Sequence, residues 1–217
     1  MKKSVRFAQN IIRWYEKFGR NYSWRRTKDP YRILISEMML QKTDARKVAE
    51  IYPLIIRQYP TVILLSRANT NRLRKQINLL GIHDRARRLR KSAKVIVRDH
   101  NGKIPDNKIQ LLSLLGVGEY IANAVLCFAF RHDVPVLDTN VIRVLQRVFS
   151  ARSRLMRPRN DKKLWQFAGE IIPSGRSIEY NRGILDFASA VCTVKQPRCE
   201  VCPNCVICDY YQLFAVH

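Results

Sequence analysis

The chain has 217 residues, 47% of them hydrophobic, and its 40 Lys and Arg residues against 17 Asp and Glu give a formal net charge of +23. The longest apolar segment, residues 120–130, is too short to cross a membrane, and the N-terminus lacks the apolar core of a secretory leader, so we expect a mature protein without membrane association. The charge favours a polyanionic partner, of which nucleic acid is the commonest, over a generally solvated basic surface.

The first half of the sequence shows the apolar spacing of helices. Apolar residues at positions 8, 11, 12, 15 and 18 lie on one helical face, and Gly19 should end that helix. Asp29 and Pro30 form an N-cap and first-turn pair that opens the segment YRILISEMMLQ. Further helices are predicted over residues 48–59, 73–80 and 86–97.

The second half continues this pattern. Gly102 and Pro105 precede the apolar segment LLSLLGVGEYIANAVLCFAF, and residues 132–137 are a connector. The residues from Asp138 to Asn140 can cap the helix VIRVLQRVF, and a charged loop follows. The last helices are predicted over residues 163–172 and 180–191. Because no alternating strand pattern of useful length occurs, the predicted fold class is all-α, with about ten helices at usual helix lengths.

Two stretches hold much of the positive charge. The first lies within a predicted helix and contains Arg85, Arg87, Arg88, Arg90, Lys91, Lys94 and Arg98. The second contains Arg143, Arg147, Arg152, Arg154, Arg157 and Arg159. We expect these side chains to contact phosphates, in which case binding to the nucleic acid weakens steeply as the salt concentration rises.

Five of the six cysteines lie in the last 26 residues, which favours a metal centre. Four of them have the spacing C-x6-C-x2-C-x5-C, namely Cys192, Cys199, Cys202 and Cys208. Disulfides suit small secreted chains, and structural zinc usually needs cysteine pairs a dozen or more residues apart, so a [4Fe–4S] cluster is favoured over both. Cys205 is then a spare thiol or a substitute ligand, and Cys127 lies in an apolar run typical of a core. A cluster implies a reducing compartment, hence the cytoplasm.

Three further features can carry chemistry. The turn that contains Gly116 and Gly118 joins two apolar helical stretches, and glycines there let backbone N–H groups face a phosphate, as in a helix–hairpin–helix. Asp138 is either an ordinary N-cap or a carboxylate that also stabilises positive charge on a deoxyribose. Glu37 lies in an apolar helix, where burial would suit it to general acid catalysis unless an arginine pairs with it. Two carboxylates with divided roles are typical of glycosidic-bond chemistry.

Together these features resemble the endonuclease III superfamily of helix–hairpin–helix DNA glycosylases over essentially the whole chain. The matching strings are WRRTKDPYRILISEMMLQKT, GVGEYIANAV, PVLDTNVIRV and the terminal cysteine loop. The resemblance implies two helical domains flanking a DNA-binding cleft: a six-helix barrel with the hairpin at residues 23–132, and an iron–sulfur domain from residues 1–22 and 133–217. It also implies that Asp138 is the catalytic aspartate, that the four cysteines hold [4Fe–4S], and that Gln41 fills the space left by an extruded base.

Position 120 separates the reaction types within this superfamily. Bifunctional members carry a lysine there, whose amine forms a Schiff base with the sugar, whereas this chain has Tyr120, which cannot form one. We therefore expect a monofunctional enzyme that leaves an abasic site without cleaving the strand. The phenol of Tyr120 would pack in the base pocket.

The resemblance leaves two monofunctional branches open. Removal of thymine or uracil opposite guanine is favoured, because Ile82 and His83 stand where adenine glycosylases usually have two tyrosines. The chain also ends nine residues after Cys208, without the sensing domain of that branch. The alternatives are an adenine glycosylase acting opposite guanine or 8-oxoguanine, and a non-catalytic DNA-binding module. We expect a monomer bound to double-stranded DNA with a mispaired base, with Lys195 and Arg198 facing the DNA and Ile82 or His83 assisting Gln41.

Overall fold

The computed structural model describes residues 1–81 and 84–214, and within these ranges the backbone forms helices and connecting turns without a β-strand. The all-α prediction is confirmed. The chain divides into two units, which we name the central unit (Asn21–Phe130) and the terminal unit (Met1–Arg20 with Arg131–His217). Among the helices of the described ranges, none combines the length and the apolarity needed to span a bilayer.

Twelve α-helices are present in the described residues. In chain order they are α1 (Lys3–Phe18), α2 (Pro30–Leu40), α3 (Ala45–Gln58), α4 (Val62–Ser66), α5 (Thr70–Ile77), α6 (Arg85–Asp99), α7 (Lys108–Leu112), α8 (Glu119–Phe130), α9 (Thr139–Phe149), α10 (Lys162–Glu170), α11 (Ser177–Ala190) and α12 (Asp209–Phe214). Short 3₁₀ turns lie at Ser23–Arg25, Asn78–Leu80, Pro158–Asn160, Cys199–Val201 and Cys205–Ile207.

The long helices agree with the sequence prediction to within a few residues at each end. Gly19 ends α1, and its backbone N–H donates to the carbonyl of Tyr15. The sequence does not predict the two short helices α4 and α12, because five or six residues carry too little periodicity to distinguish a helix from a turn. Ile82 and His83, which the sequence predicts to assist Gln41, lie outside the described residues.

Polar side chains set where many of the helices begin. Seven of the described helices follow an Asp, Asn or Thr whose side chain accepts a hydrogen bond from a backbone N–H of the first turn: Asp29, Asp44, Thr61, Asn69, Asn107, Asp138 and Asp161. Pro30 occupies the first helical position after Asp29, as predicted. These caps satisfy N–H groups that have no partner within the helix.

Helix α2 forms the middle of the central unit, where it packs against α3, α6 and α8. Every residue from Ile33 to Met39 is buried, so α2 is covered on all sides rather than along one stripe. Helix α8 is likewise buried from Ile121 to Phe128, and α4 and α5 pack against α6. These buried helices carry Glu37 in α2 and Tyr120 in α8.

Both ends of the chain contribute to the terminal unit. Helix α1 packs against α11, and α9 packs against α11 and α12. Gly183 of α11 permits the close approach of α1, because a Cβ at this position would lie 3.0 Å from Cγ2 of Ile11 and 3.1 Å from the carbonyl oxygen of Ile11. An added side chain would therefore have to displace the backbone of α1.

Replacing Gly183 with alanine should destabilise the terminal unit by about 1–3 kcal/mol, because the new methyl group overpacks the contact between α1 and α11. Gly169→Ala is the matched control in α10 of the same unit. A Cβ there would meet only Cδ of Pro135 at 4.0 Å, so this change should leave stability unchanged or raise it by up to about 1 kcal/mol. Urea unfolding followed by circular dichroism measures both variants, and equal effects would contradict the close approach.

Candidate functional site

Asp138 lies directly before α9 in the terminal unit, where two hydrogen bonds hold its carboxylate. Its Oδ1 accepts from the backbone N–H of Val141 at 2.7 Å, and its Oδ2 accepts from Nδ2 of Asn140 at 2.9 Å. Asp138 is therefore an N-cap, one of the two roles that the sequence allows. Because the residue is half-buried and both oxygens have donors, the carboxylate has one defined orientation.

Asn140 and Arg143 extend the hydrogen bonds of Asp138 to the cysteine loop. Arg143 donates through Nη1 to Oδ1 of Asn140 at 2.9 Å and through Nε to the carbonyl of Cys192 at 3.0 Å. Its Nη2 donates to the carbonyl of Ala188 at 2.8 Å. Burial lowers the pKa of Arg143, an effect that Cys192 and Asp138 oppose. The aspartate and the first cysteine of the loop are thus joined by a continuous series of hydrogen bonds.

Arg147, one turn further along α9, holds the segment that follows Cys192. Its Nη1 donates to the carbonyl of Thr193 at 2.5 Å and to Sγ of Cys192 at 3.5 Å, and its Nη2 donates to the carbonyl of Val194 at 2.8 Å. The backbone carbonyl of Arg147 accepts from Sγ of Cys208 at 3.4 Å. One residue of α9 therefore contacts both ends of the cysteine loop.

The four predicted ligands are free thiols that influence one another: Cys192, Cys199, Cys202 and Cys208. Burial raises the pKa of Cys202 to about 12, and the other three thiols contribute to the rise. Burial also raises the pKa of Cys199 and of Cys208, again with a contribution from Cys192. These four thiols therefore belong to one electrostatic neighbourhood within the loop.

Four thiolates can hold either a single tetrahedral zinc ion or a [4Fe–4S] cluster. Within residues 1–81 and 84–214, no group of three or more His, Cys, Asp or Glu side chains is placed to hold one metal ion. A [4Fe–4S] cubane binds each cysteine at a different iron, so its ligands stand farther apart than those of a tetrahedral zinc. Because burial favours the neutral thiols, a cationic centre would be needed to stabilise four thiolates here.

Asn10 of α1 anchors the middle of the cysteine loop. Its Nδ2 donates to the carbonyl of Pro203 at 2.9 Å and to Oδ1 of Asn204 at 3.0 Å, while its own Oδ1 accepts from Arg13 at 2.7 Å. Asn10 is 9% exposed and Asn204 is fully buried. Since buried amides need partners, this pair fixes the position of the turn that separates Cys202 from Cys205.

The predicted hairpin lies between α7 and α8 in the central unit. Gly116 has a φ of +88°, a conformation that favours glycine, and a Cβ there would lie 2.8 Å from Cδ of Arg88, so that side chain would also have to shift. Its carbonyl accepts from Nε2 of Gln41 at 2.8 Å. Gly118 precedes α8, and a Cβ at this position would meet no atom within 4 Å. The backbone at Gly118 is therefore open to a ligand at the helix N-terminus.

The remaining predicted site residues divide between the two units. In the central unit, Glu37 is 5% exposed within α2, and Tyr120 is half-buried in the first turn of α8. In the terminal unit, Lys195 and Arg198 are exposed in the segment between Cys192 and Cys199, and the backbone N–H of Arg198 donates to the carbonyl of Val191 at 2.9 Å. Gln41 is thus in contact with the hairpin, and Asp138 is connected to the cysteine loop.

The prediction that the two basic stretches contact phosphates is wrong for Arg85. This residue is 1% exposed and donates to backbone carbonyls of the central unit, because the periodicity of α6 turns it toward the core. Arg143 and Arg147 are half-buried and direct their donors to carbonyls of the terminal unit. The other members include several that are exposed, namely Arg87, Lys91, Lys94, Arg98, Arg152, Arg154, Arg157 and Arg159.

Sequence reasoning missed the residues that support the aspartate and the cysteines. The sequence could have indicated Asn10, because it is a polar amide on the otherwise apolar face of α1. Asn140 gives a weaker signal, because it follows the N-cap and faces the same turn. Arg143 and Arg147 give none, because nothing in a basic stretch distinguishes an arginine that binds carbonyls from one that faces solvent.

Comparison with known proteins agrees with this geometry. Residues 35–169 match the family model described as the HhH-GPD superfamily base excision DNA repair protein. A thymine/uracil-DNA glycosylase of Pyrobaculum aerophilum is 40% identical over 213 residues, which cover 96% of this chain and 93% of that protein. An adenine DNA glycosylase of Mycobacterium tuberculosis is 37% identical over 89% of this chain but only 64% of its own length.

The fold agrees as well. The solved structure of a thermostable thymine-DNA glycosylase superposes with a TM-score of 0.91 at 32% sequence identity, covering 97% of each chain. The family match spans the hairpin at Gly116 and the capping aspartate Asp138, and the relatives extend the similarity through the cysteine loop. This chain therefore belongs to the HhH-GPD superfamily of base excision DNA repair proteins, which confirms the resemblance to the endonuclease III superfamily.

Proposed function

We propose that this DNA glycosylase of base excision repair is monofunctional and hydrolyses the N-glycosidic bond of thymine or uracil opposite guanine in double-stranded DNA. The choice of base rests on similarity over nearly the full length to a protein named thymine/uracil-DNA glycosylase. Adenine is the second candidate, supported by the similarity to an adenine DNA glycosylase over 89% of this chain.

The fixed orientation of the Asp138 carboxylate is the main observation that supports hydrolysis of a glycosidic bond. Departure of a base leaves an oxocarbenium-like sugar, and a carboxylate held in place stabilises that charge without having to reorganise. The N–H of Val141 and the amide of Asn140 supply the fixed orientation at 2.7 and 2.9 Å. Asp138 is therefore proposed as the catalytic aspartate, acting by electrostatic stabilisation or by transient attachment to the sugar.

Glu37 and Tyr120 complete the proposed chemistry. Glu37 is almost fully buried in an apolar helix, a setting that suits a carboxyl group which orders water or protonates the departing base. Tyr120 offers a phenol where bifunctional members of the superfamily offer an amine. Since a phenol cannot form an imine with the sugar, we expect water to complete the reaction and leave the strand intact.

The basic surface and the hairpin would hold the DNA. Gly116 and Gly118 would place backbone N–H groups at a phosphate, and exposed Lys195 and Arg198 would contact the backbone. Glycosylases reach the glycosidic bond by extruding the nucleotide, and mispairing lowers the cost of doing so. Gln41 is proposed to fill the vacated space. In this proposal the central unit contains the six-helix barrel, and the terminal unit is the iron–sulfur domain.

Cys192, Cys199, Cys202 and Cys208 are the proposed ligands of a [4Fe–4S] cluster, which when bound would crosslink the loop and supply one-electron redox capacity. The chain's own residues already orient this loop. Arg147 contacts it near Cys192 and Cys208, and Asn10 holds its middle. The loop in turn presents Lys195 and Arg198 on its exposed side.

Asp138→Asn should reduce single-turnover excision by on the order of 10²–10³-fold while leaving the affinity for DNA nearly unchanged. Asparagine still caps a helix, so the fold should persist. The matched control is Asp161→Asn, since Asp161 also caps a helix of the terminal unit through its side chain, and this variant should excise normally. An equal loss of excision and of DNA binding in Asp138→Asn would contradict a catalytic role.

A panel of labelled duplexes tests substrate and reaction type together. We expect release of the base from T·G and U·G, with strand breaks only after alkali and no covalent complex trapped by sodium borohydride. Duplexes with A·G or A opposite 8-oxoguanine should stay intact, as should a fully paired control. Release of adenine alone would favour the second candidate, a trapped complex would refute the monofunctional assignment, and no release from any duplex would favour a binding module.

Cys202→Ser should abolish or strongly reduce bound iron, because Cys202 is one of the four proposed ligands and a serine hydroxyl is a much weaker ligand for iron than a thiolate. Cys205→Ser is the matched control three residues away and should retain the iron and the visible absorbance of the purified protein. Iron content per chain and the absorption spectrum, measured after anaerobic preparation, distinguish the two. Iron lost from Cys205→Ser but retained by Cys202→Ser would reassign the ligand.

A further inference from the structure

Arg85 is a fully buried cation whose hydrogen-bond partners among residues 1–81 and 84–214 are all neutral oxygens. Its Nη1 donates to the carbonyl of Leu80 at 2.9 Å, and its Nη2 donates to the carbonyl of Gln41 at 2.5 Å and to Oγ1 of Thr43 at 2.8 Å. Its Nε is buried and has no hydrogen-bond partner within the part of the chain that the structure describes. Burying a guanidinium is costly, and carbonyls offset less of that cost than a carboxylate would. A cation buried at this cost calls for an explanation beyond filling space.

The oxygens that Arg85 binds belong to two turns of the central unit. One is the turn at residues 41–43, after α2, and the other is the turn at residues 80–81, after α5. Oγ1 of Thr43 joins the two turns directly, because it donates to the carbonyl of Leu80 at 2.8 Å. Lys42 has a φ of +51°, in the left-handed region that a side chain disfavours. A conformation of this kind persists only where the surroundings hold it, and Arg85 contacts the residues on both sides of Lys42.

The same turn is connected to the hairpin. The side chain of Gln41 donates to the carbonyl of Gly116 at 2.8 Å, while its backbone carbonyl accepts from Arg85. Helix α6 also contacts the hairpin beyond Arg85. Side-chain carbons of Arg88 lie 2.8–3.4 Å from the position that a Cβ of Gly116 would take, and Ser92 donates to the carbonyl of Leu115 at 3.0 Å. Positions 85, 88 and 92 share one face of the helix, so this face of α6 supports both the turn that carries Gln41 and the hairpin.

We propose that Arg85 is a positioning residue that fixes the backbone of Gln41 and the adjoining turn so that Gln41 can occupy the space of an extruded nucleotide. The proposal rests on the proposed function of Gln41 in base extrusion. The planar guanidinium suits this task because it donates in diverging directions to two turns at once, which the single ammonium group of lysine cannot reproduce. Burial lowers the pKa of Arg85 to about 10, so the side chain remains charged at neutral pH.

Arg85→Lys tests the proposal by comparing two substrates in single-turnover excision. On a U·G duplex, where the base must be extruded from a pair, the rate should fall about tenfold to a hundredfold, because a misplaced group loses rates of this size. On the same duplex with uracil opposite an abasic analogue, where no pair has to be broken, the rate should fall less than about threefold. A purely structural role would lower both rates by the same factor, in proportion to the folded fraction, and would overturn the proposal.

Three further single variants and one double variant bracket this result. Arg46→Lys, the same change at an exposed arginine of α3, should leave both rates unchanged. Thr43→Val keeps the size of the side chain but removes the hydroxyl between the turns, so it should reproduce the selective loss at smaller magnitude if Arg85→Lys fails to fold. Gln41→Ala should show the selective loss too, and its combination with Arg85→Lys should add little beyond either change alone.

A fluorescence measurement separates this proposal from the proposed chemistry. In the Asp138→Asn background, 2-aminopurine placed beside the target uracil should brighten on binding, because extrusion unstacks it. Arg85→Lys in that background should reduce the increase at saturating protein. If no base is released from any duplex but the fluorescence depends on Arg85, the proposed reaction fails while the positioning role stands. Full brightening by the Arg85→Lys variant overturns the positioning role, whatever the enzyme excises.

Discussion

The terminal unit depends on one set of hydrogen bonds. Side chains of α9 donate them to backbone carbonyls at the end of α11 and in the loop that follows. The last turn of any helix leaves carbonyls without partners, and a cation there also interacts favourably with the helix dipole. Arg143 supplies donors to Ala188 and Cys192, and Arg147 continues with Thr193 and Val194. Asp138 begins α9, and α9 also supplies the donors for the last carbonyls of α11. The aspartate and the cysteine loop are therefore held by the same helix.

Arginine acts in the same manner in the central unit. Arg85 donates to the carbonyls of Gln41 and Leu80, as Arg143 and Arg147 donate to carbonyls of the other unit. The composition explains why these arginines bind carbonyls, because the chain has 40 basic residues and only 17 acidic ones. Most arginines that enter the interior of such a chain must find neutral acceptors, and backbone carbonyls near the ends of helices are those most in need of donors. The excess of charge therefore contributes to internal architecture as well as to the surface.

Much of the fold could be predicted because its signals are local. Caps such as Asp29 and Asp138, the stop at Gly19 and the apolar spacing of α1 each act within a few residues, and the structure follows them. The contacts around the candidate site could not be predicted in the same way, because they join residues far apart in sequence. Asn10 meets Asn204 across 194 positions, and a basic stretch does not reveal that Arg85 turns inward while Arg87 faces solvent.

The terminal unit is built from residues at both ends of the chain, and this affects the order in which the protein can fold during synthesis. Helix α1 is synthesised before its main partner α11 and before the loop that Asn10 anchors. At translation rates of about 5–20 residues per second, α1 waits for roughly ten to forty seconds before Ser177 and the residues beyond it emerge. The intervening central unit can complete its folding in that interval. The apolar face of α1, with Phe7 and Ile11, is not covered by α11 during that interval, so the terminal unit can assemble only after α11 has been made.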